Sequence, residues 1–367
     1  MRVLYYTRDY SPHDERFLTA LAKTSHEVLL LRAVPLSTPK LPGNIRDLSQ
    51  PYNGRQPSLL QRFRTFRHTI DACNPDLVHA GPLNGPAYIA ALGGFQPLVS
   101  MSWGYDLLMD ANRLVDRTLI KHTLRRSTVL VGDCRAIANK ALSFGYPADR
   151  IHLFPWGVNL AHFCPQGRNL TRQRLGWQGN FVFLCNRSME PKYGVDIVVQ
   201  AFLQAVKTNP NLRLVLFGKG SQEDSLRLMV KDAGQDNKVC FGGFVSLKDL
   251  PDSYRSADVF ITASHCDGSS VSLMEALACG LPVIASDIPA NLEWINPGKN
   301  GWTFHDGQAD ELTHRMLSAA DSTDLATLAA NARSLAEQKA DWSRNFPVLL
   351  EAYEHALELN RSGRSRP

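Results

Sequence analysis

Two acidic residues, Asp267 and Glu275, lie eight positions apart with a Gly-Ser-Ser segment after the first. Carboxylates accept hydrogen bonds from hydroxyl groups, and backbone N–H groups at the start of a helix attract phosphate. The residues around Glu275 have the apolar pattern of a helix that ends at Gly280, and an apolar strand follows. This arrangement is suited to a ligand that carries several hydroxyl groups and a phosphate.

Short apolar segments alternate with helical patterns in the first half of the chain. Alternation of this kind is typical of a doubly wound parallel sheet. The predicted strands cover residues 3–6, 26–32, 76–79, 97–102, 128–132 and 151–154. The predicted helices cover residues 15–23, 59–72, 85–92, 114–126 and 135–144.

The same alternation restarts after Asn180 and predicts a second α/β unit of similar build. Its predicted strands cover residues 181–185, 212–217, 239–241, 259–262, 282–285 and 301–304, and its predicted helices cover residues 195–207, 222–233, 272–279 and 309–318. Residues 155–180 are irregular, which indicates a joint between two domains. Two open sheets that face one another form a cleft at the carboxyl ends of their strands, where such folds bind ligands. Residues 342–359 read as a final amphipathic helix.

The composition is that of a soluble globular protein, with an apolar share of 44%. No apolar run approaches the roughly 18 residues that a membrane-spanning helix needs. The chain starts directly in a predicted strand, so we expect no signal peptide. The seven cysteines are scattered and form no Cys-x-x-Cys pair, which favours reduced thiols in a cytoplasmic protein.

The residues around Glu275 resemble the motif of glycosyltransferase family 4. In that family two glutamates separated by seven residues precede Ala-Met-Ala-x-Gly-x-Pro-Val, and this chain has Ala-Leu-Ala-Cys-Gly-Leu-Pro-Val over residues 276–283. The resemblance implies the GT-B fold, an α/β fold in which two Rossmann-like, doubly wound domains face one another across a cleft. It implies that residues 1–157 bind the acceptor and that residues 158–340 bind the nucleotide sugar. Residues 341–367 would be a helix that returns to the first domain, with a frayed tail.

The resemblance also assigns roles to acidic and cationic residues. Glu275 would bind the ribose hydroxyls of the donor, and Asp267 would reach the hydroxyls of the donor sugar with a shorter side chain than the usual glutamate. Arg187 matches the family's arginine on the diphosphate. Tyr193 occupies the position of the family's lysine and Lys192 stands one residue earlier. We expect Arg187, Lys192 and Asp267 to be the catalytic residues, and Tyr193 is the open alternative to Lys192.

Other segments of the second half resemble the parts of the family that bind the donor. Backbone N–H groups after Asp267 would contact the sugar and the distal phosphate, and main-chain atoms after residues 239–241 would recognise the base. Glycines after residues 212–217 permit close approach of a ligand. The donor-binding residues implied in this way are Gly218, Phe244, Val245, Gly268, Ser269, Ser270 and Val271.

The first half departs more from the family. Pro12, His13 and Asp14 stand where members often carry a pair of glycines, and Trp103 stands where many carry a histidine before a Gly-x-Asp step that ends here at Asp106. The resemblance places His13, Trp103 and Asp106 on the acceptor or phosphate side. A surface position for His13 and a core position for Trp103 are the open alternatives.

The activity implied by the resemblance is that of a retaining hexosyltransferase. Such an enzyme moves a sugar from a nucleoside diphosphate sugar, with UDP favoured over GDP, to a hydroxyl group of a glycan or a lipid-linked precursor. The sequence has no Asp-x-Asp metal motif, so we expect metal-independent transfer and no cofactor besides the donor. The alternatives are a non-catalytic nucleotide-sugar-binding protein and a GT-B epimerase.

Positive charge is concentrated in the first part of the chain, where residues 1–157 hold 19 Lys and Arg against 12 Asp and Glu. This balance suits an anionic acceptor or an anionic membrane surface. The predicted helix over residues 59–72 either lies on such a membrane or directs its Phe and Leu side chains to the sheet. A surplus of solvated lysines and arginines is the open alternative to both anionic partners. We therefore expect a cytoplasmic protein that binds a nucleotide sugar and its acceptor but no nucleic acid, with peripheral contact to the inner face of a membrane left open.

Overall fold

The computed structural model describes residues 1–36, 38–50 and 56–364. Its contacts divide the chain into two compact units. The first comprises Met1–Phe154 and the C-terminal segment from Phe346, and the second comprises Pro155–Asn345. The predicted domain boundaries after residues 157 and 340 lie close to these division points.

Seven parallel strands form the sheet of the first unit. They are β1 (Arg2–Thr7), β2 (Glu27–Arg32), β3 (Arg46–Asp47), β4 (Leu77–Ala80), β5 (Leu98–Met101), β6 (Val129–Gly132) and β7 (Ile151–Leu153). Their order is β3-β2-β1-β4-β5-β6-β7. The direction of winding therefore reverses between β1 and β4, and the carboxyl ends of all the strands lie at one edge.

Helices connect these strands. They are α1 (Pro12–Leu21), α2 (Leu59–Cys73), α3 (Pro86–Leu92), α4 (Tyr105–Leu108), α5 (Leu114–Arg126) and α6 (Arg135–Ser143). The predicted start of α1 at residue 15 was wrong, since the helix begins at Pro12. Ser11 caps it and exchanges hydrogen bonds with Asp14 in a capping box. His13 therefore lies in the first turn of a helix rather than in a loop.

The second unit has six parallel strands in the order β10-β9-β8-β11-β12-β13. They are β8 (Phe181–Asn186), β9 (Leu212–Phe217), β10 (Val239–Gly243), β11 (Val259–Thr262), β12 (Val283–Ser286) and β13 (Gly301–Phe304). The winding reverses between β8 and β11. Both sheets are doubly wound, which confirms the predicted α/β class.

The helices of the second unit include several that the sequence patterns did not predict. They are α7 (Leu170–Arg174), α8 (Val195–Thr208), α9 (Glu223–Asp232), α10 (Leu250–Arg255), α11 (Val271–Ala278), α12 (Pro289–Leu292), α13 (Ala309–Ala320), α14 (Leu325–Lys339) and α15 (Trp342–Asn345). The 15-residue α14 went unpredicted because its buried face consists mainly of alanines, as at Ala332 and Ala336, which give a weak apolar period.

The predicted C-terminal helix is two helices rather than one. After α15, the helical conformation is interrupted at Phe346, and a second helix, α16 (Pro347–Arg364), follows. Proline lacks an N–H group and disfavours helical geometry at the preceding residue, which explains the break. Leu349 and Tyr353 of α16 are fully buried against the sheet of the first unit. None of the helices in the described residues is both long and apolar enough to cross a membrane.

A buried hydrogen bond holds α16 to the sheet. The hydroxyl of Tyr353 lies 2.6 Å from Nδ1 of His79 on β4. Burial lowers the pKa of His79 to about 3, so the imidazole is neutral at ordinary pH. The ring of Tyr5 packs edge-on against the same imidazole at 4.7 Å between centroids.

The neutral His79 should make the stability of the first unit depend on pH. Its folded-state pKa of about 3 lies below the ordinary value of 6.5 that applies to the unfolded chain. The unfolded chain therefore binds more protons between these two values, so stability is complete above the unfolded-state pKa and falls as the pH is lowered through this window. From this residue alone we expect a loss of about 1.4 kcal/mol in unfolding free energy per pH unit.

Urea denaturation of wild-type protein and of His79→Gln at neutral and mildly acidic pH measures this loss. The variant should be less stable than the wild type at neutral pH. The difference between their unfolding free energies should become smaller as the pH falls. His68→Gln, on the exposed side of α2, is the matched control and should follow the wild type. A gap of constant size would show that His79 is not held neutral.

Candidate functional site

The candidate site of the second unit lies at one edge of its sheet. Strands β8, β9, β10 and β11 are parallel neighbours, so the segments that follow them emerge side by side at the carboxyl edge. Open α/β sheets bind their ligands at this edge. The four segments carry Arg187, Gly218, Phe244 and Asp267, all of which were predicted from the sequence.

Arg187 stands at the centre of a network of side chains. Its Nη2 donates to Oδ2 of Asp267 at 2.5 Å. Its Nη1 donates to the hydroxyl oxygens of Ser270 at 2.9 Å and of Ser272 at 3.0 Å. The structure therefore brings together three of the residues that sequence analysis assigned to the donor, and adds Ser272.

The guanidinium of Arg187 remains charged in this setting. Burial is the largest single influence and opposes the charge, but Asp267, Tyr193 and Cys185 together outweigh it, and the pKa of Arg187 lies above its ordinary value. The buried Nε has no hydrogen-bond partner among the residues that the structure describes. Arg187 thus keeps hydrogen-bonding capacity for an anionic ligand at the sheet edge.

Tyr193 lies between the two predicted cations. The guanidinium carbon of Arg187 is 4.2 Å from the centre of the Tyr193 ring, and Nζ of Lys192 is 4.8 Å from it. Both distances are those of cation–π contacts. The ring of Tyr193 therefore serves as a surface against which two positive charges pack.

Glu275 is held by a second network. It is buried, and its Oε2 accepts a hydrogen bond of 2.8 Å from the hydroxyl of Tyr254. The same hydroxyl accepts from Nδ2 of Asn186, the last residue of β8, at 3.1 Å. Burial and the charge of Glu275 raise the pKa of Tyr254 well above its ordinary value, so the phenol stays a neutral donor.

Glu275 lies inside a helix and not at its start. Helix α11 begins at Val271, so Glu275 occupies its second turn. The helix start is formed instead by Ser270, whose hydroxyl caps the N–H of Leu273. The N–H of Gly268 donates to Oδ1 of Asp267 at 3.1 Å, so this predicted contact to the ligand is occupied within the chain.

The other predicted donor residues lie in this part of the fold in different environments. Ser269 and Ser270 are buried, whereas Phe244 is exposed and Val245 is partly buried directly after β10. Gly218 has φ of +107°, and a Cβ there would lie 2.5 Å from the carbonyl oxygen of Arg187. The close backbone approach that a glycine permits at this position is therefore an approach to the chain itself.

In the first unit, the predicted residues form a separate group. Asp106 is buried, and its carboxylate accepts hydrogen bonds from the N–H of Leu83 at 2.8 Å, the N–H of Trp103 at 3.0 Å and the hydroxyl of Ser102 at 2.8 Å. Asp106 thus holds the loop after β5 in place. The rings of His13 and Trp103 lie 5.5 Å apart, so the structure brings these two predicted residues together.

The sequence patterns did not indicate Tyr254, Ser272 or Asn186 as residues of the site. Tyr254 lies in α10, which no apolar pattern indicated, and its bond to Glu275 spans 21 positions. Ser272 could have been predicted as a site residue, because it follows the predicted Ser270 by two positions at the start of α11. Asn186 immediately precedes Arg187, so it could have been included with the segment after β8.

Comparison with known families covers most of the chain. Residues 15–162 match the family described as Glycosyltransferase Family 4, and residues 168–335 match the family described as Glycosyl transferases group 1. The chain is 28% identical over 242 residues to a D-inositol 3-phosphate glycosyltransferase of Pseudarthrobacter chlorophenolicus, covering 63% of this chain and 58% of that protein.

A second curated relative is the GDP-mannose-dependent monoacylated alpha-(1-6)-phosphatidylinositol monomannoside mannosyltransferase of Corynebacterium glutamicum. It is 28% identical over 212 residues, covering 55% of this chain and 54% of that protein. The chain thus spans somewhat more than half of the length of these two relatives.

Solved structures match over a larger share. HepE of Anabaena, in complex with UDP-glucose, has a TM-score of 0.81 at 20% identity, covering 96% of this chain and 99% of that chain. Sucrose-phosphate synthase of Thermosynechococcus elongatus has a TM-score of 0.77 at 17% identity, covering 96% and 98%. At these identities the likeness shows the fold. Taken with the two family matches, it shows that the chain belongs to glycosyltransferase family 4 and has the GT-B fold.

Proposed function

We propose that this protein transfers a hexose from a nucleoside diphosphate sugar to a hydroxyl group of an acceptor, with retention of the anomeric configuration. The observation that carries the proposal is the buried, charged Arg187 at the carboxyl edge of the second sheet. Its Nε–H has no partner in the described part of the chain, and Lys192 lies over the same aromatic ring. An anionic diphosphate satisfies both observations.

In the proposed reaction, the bond between the anomeric carbon and the diphosphate oxygen breaks, and its electron pair stays on the diphosphate. The acceptor oxygen forms the new bond on the same face of the sugar and gives its proton to the departing diphosphate. Arg187 and Lys192 stabilise the negative charge that develops on the leaving group, so transfer needs no metal ion. Asp267 would bind sugar hydroxyls while it orients Arg187.

A UDP-sugar is the favoured donor, and a GDP-sugar is the next candidate. The structural neighbour HepE was solved with UDP-glucose, whereas the relative from Corynebacterium is described as GDP-mannose-dependent. Glu275, fixed by Tyr254, would accept the ribose hydroxyls common to both. The exposed Phe244 and the partly buried Val245 would present main-chain atoms to the base that distinguishes them.

The acceptor would be a hydroxyl of a glycan or of a lipid-linked precursor. The relative from Corynebacterium is described as acting on a phosphatidylinositol mannoside. In the first unit, the ring pair of His13 and Trp103 is the candidate contact, because the apolar faces of sugars pack on aromatic rings. Asp106 would act indirectly, since its carboxylate already holds the loop that carries Trp103.

Replacement of Arg187 tests the role of the cation. Arg187→Ala should lower kcat/KM by about 10²-fold or more, because the charge that meets the leaving diphosphate is lost. Arg187→Lys keeps the charge but not the forked geometry, so it should recover part of the activity. Initial rates with a panel of UDP- and GDP-sugars measure both effects.

Arg227→Ala is the matched control for this experiment. Arg227 also pairs with a carboxylate, that of Glu223, and lies 4.4 Å from the centre of the Phe241 ring, but it is on the surface of α9. Its replacement should leave the rate unchanged. A folded Arg187→Ala protein with wild-type turnover would refute the assignment to the diphosphate. Donor binding without transfer to any acceptor would favour the non-catalytic alternative.

Tyr254 provides a test of the ribose assignment. Tyr254→Phe removes the hydroxyl that fixes Glu275, so donor affinity should fall about tenfold, the typical effect of losing one hydrogen bond to a charged group. KM for the donor should rise and kcat should change little, because the contact is made before and during transfer alike.

Tyr146→Phe serves as the comparison, since Tyr146 is a buried tyrosine of the first unit whose hydroxyl lies 3.4 Å from the carbonyl oxygen of Ser127. Calorimetric titration with UDP should give wild-type affinity for this variant. Equal affinities for wild type and Tyr254→Phe would show that the Tyr254–Glu275 bond is structural only.

A further inference from the structure

Two aliphatic side chains stand out from the first turn of α5. Leu114 is 80% exposed and Val115 is 71% exposed. They are adjacent, and they belong to a helix whose buried face is formed by other residues, namely Ile120, Thr123 and Leu124. Isolated exposed apolar residues need no explanation, but an adjacent pair at the tip of a helix is suited to enter an apolar medium.

Three cations surround one aromatic ring nearby, and two of them follow Leu114 by three and seven positions on the same face of α5. Arg117 and Lys121 of α5 and Lys140 of α6 all lie over the ring of Phe144, at 5.6, 5.2 and 5.6 Å from its centre. In the part of the chain that the structure describes, none of the three forms an ion pair with a carboxylate.

Two acidic residues of this region contact a neutral amide. Asp110 and Asp116 both accept hydrogen bonds from Nδ2 of Asn84, at 3.0 and 3.2 Å. Asp110 also lies 3.9 Å from Nη1 of Arg113. Among the six charged side chains named here, the four cations Arg113, Arg117, Lys121 and Lys140 outnumber the two carboxylates, so the surface has a net positive charge next to an aliphatic tip.

The geometry points to an anionic lipid bilayer as the partner of this surface, which we define by Leu114, Val115, Arg117, Lys121 and Lys140 and call the α5 surface. Lysine and arginine attract anionic headgroups, and the aliphatic pair enters the boundary of the acyl chains. A protein partner fits less well, because protein interfaces are depleted in lysine and enriched in aromatic residues at their centre. The inference needs neither donor nor acceptor, so it stands apart from the proposed transfer.

The α5 surface replaces α2 as the membrane-facing candidate. Phe66 of α2 is buried and stacks on the ring of Tyr6 at 5.3 Å, so this helix directs that aromatic side chain to the sheet. Leu59 and Leu60, at the start of α2, are only 46% and 54% exposed. The sequence alone could not choose between these helices, because both combine cations with apolar residues.

Sedimentation of the full chain with lipid vesicles tests the inference. The protein should bind vesicles that contain phosphatidylglycerol and not vesicles of phosphatidylcholine alone, and added salt should weaken the binding. Replacement of the three cations by Arg117→Glu, Lys121→Glu and Lys140→Glu should weaken binding by on the order of 10²-fold or more. The pair Leu114→Ser and Val115→Ser should weaken it by roughly tenfold.

Two matched variants complete the experiment. Leu228→Ser with Lys231→Glu changes an exposed leucine and a lysine on α9 of the second unit, and it should bind vesicles like the wild type. Leu59→Ser with Leu60→Ser tests α2 in the same way and should also bind. Far-ultraviolet circular dichroism and urea unfolding should be close to those of the wild type in all the variants, which separates loss of the membrane contact from loss of the fold.

Several results would overturn the inference. Equal binding to neutral and anionic vesicles, or none to either, would contradict the role of charge. Loss of binding in the α2 variant but not in the α5 variants would assign the contact to α2. Self-association of the chain in sedimentation velocity that Leu114→Ser abolishes would make the α5 surface an interface between two copies.

Discussion

The ion pair between Arg187 and Asp267 is the interaction on which the candidate site depends. Moving a guanidinium and a carboxylate out of water costs several kcal/mol per ion, and the pair recovers this only when its remaining hydrogen-bonding groups are satisfied. Ser270 and Ser272 contribute by accepting from Nη1, whereas Nε has no partner in the described residues. Because Arg187 follows β8 and Asp267 precedes α11, the pair ties these segments together at the sheet edge. Removal of one partner would leave an uncompensated buried charge. The orientation of the Arg187 guanidinium is therefore coupled to the stability of the two segments that the pair joins.

The backbone around this pair is equally constrained. A Cβ at Gly194 would lie 2.1 Å from the carbonyl oxygen of Ala263, and a Cβ at Gly218 would lie 2.5 Å from that of Arg187. Both glycines have positive φ, of +59° and +107°, which residues with side chains rarely adopt. The segments after β8, β9 and β11 therefore fit together only with glycine at these points. This packing fixes the backbone of Arg187, and the ion pair then fixes its guanidinium.

The strands and the acidic pair could be predicted because their signals are local: apolar runs between turn residues, and a motif within 17 positions from Asp267 to Val283. The hydrogen bond of Tyr254 to Glu275 could not, because it depends on how α10 packs beside α11. Asp106 is a second case in which tertiary contacts decide the role of a residue. Its residue type suggested a ligand contact, whereas its burial and its three internal hydrogen bonds give it a structural task. Residue type can be read from sequence, but the partners of a buried carboxylate depend on tertiary packing.

Tyr193, at the position of the family's lysine, attracts cations in the same way as Phe144 beside the α5 surface. An aromatic ring attracts a cation through its quadrupole without cancelling the cation's charge, unlike a carboxylate. At Tyr193, Arg187 and Lys192 can therefore lie close together while their positive potential still acts on an anion. A phenol could offer the diphosphate only one neutral hydrogen bond, so the proposed reaction relies on the two cations and not on the Tyr193 hydroxyl. Phe144 gathers three cations in the same manner, for an anionic partner of a different kind.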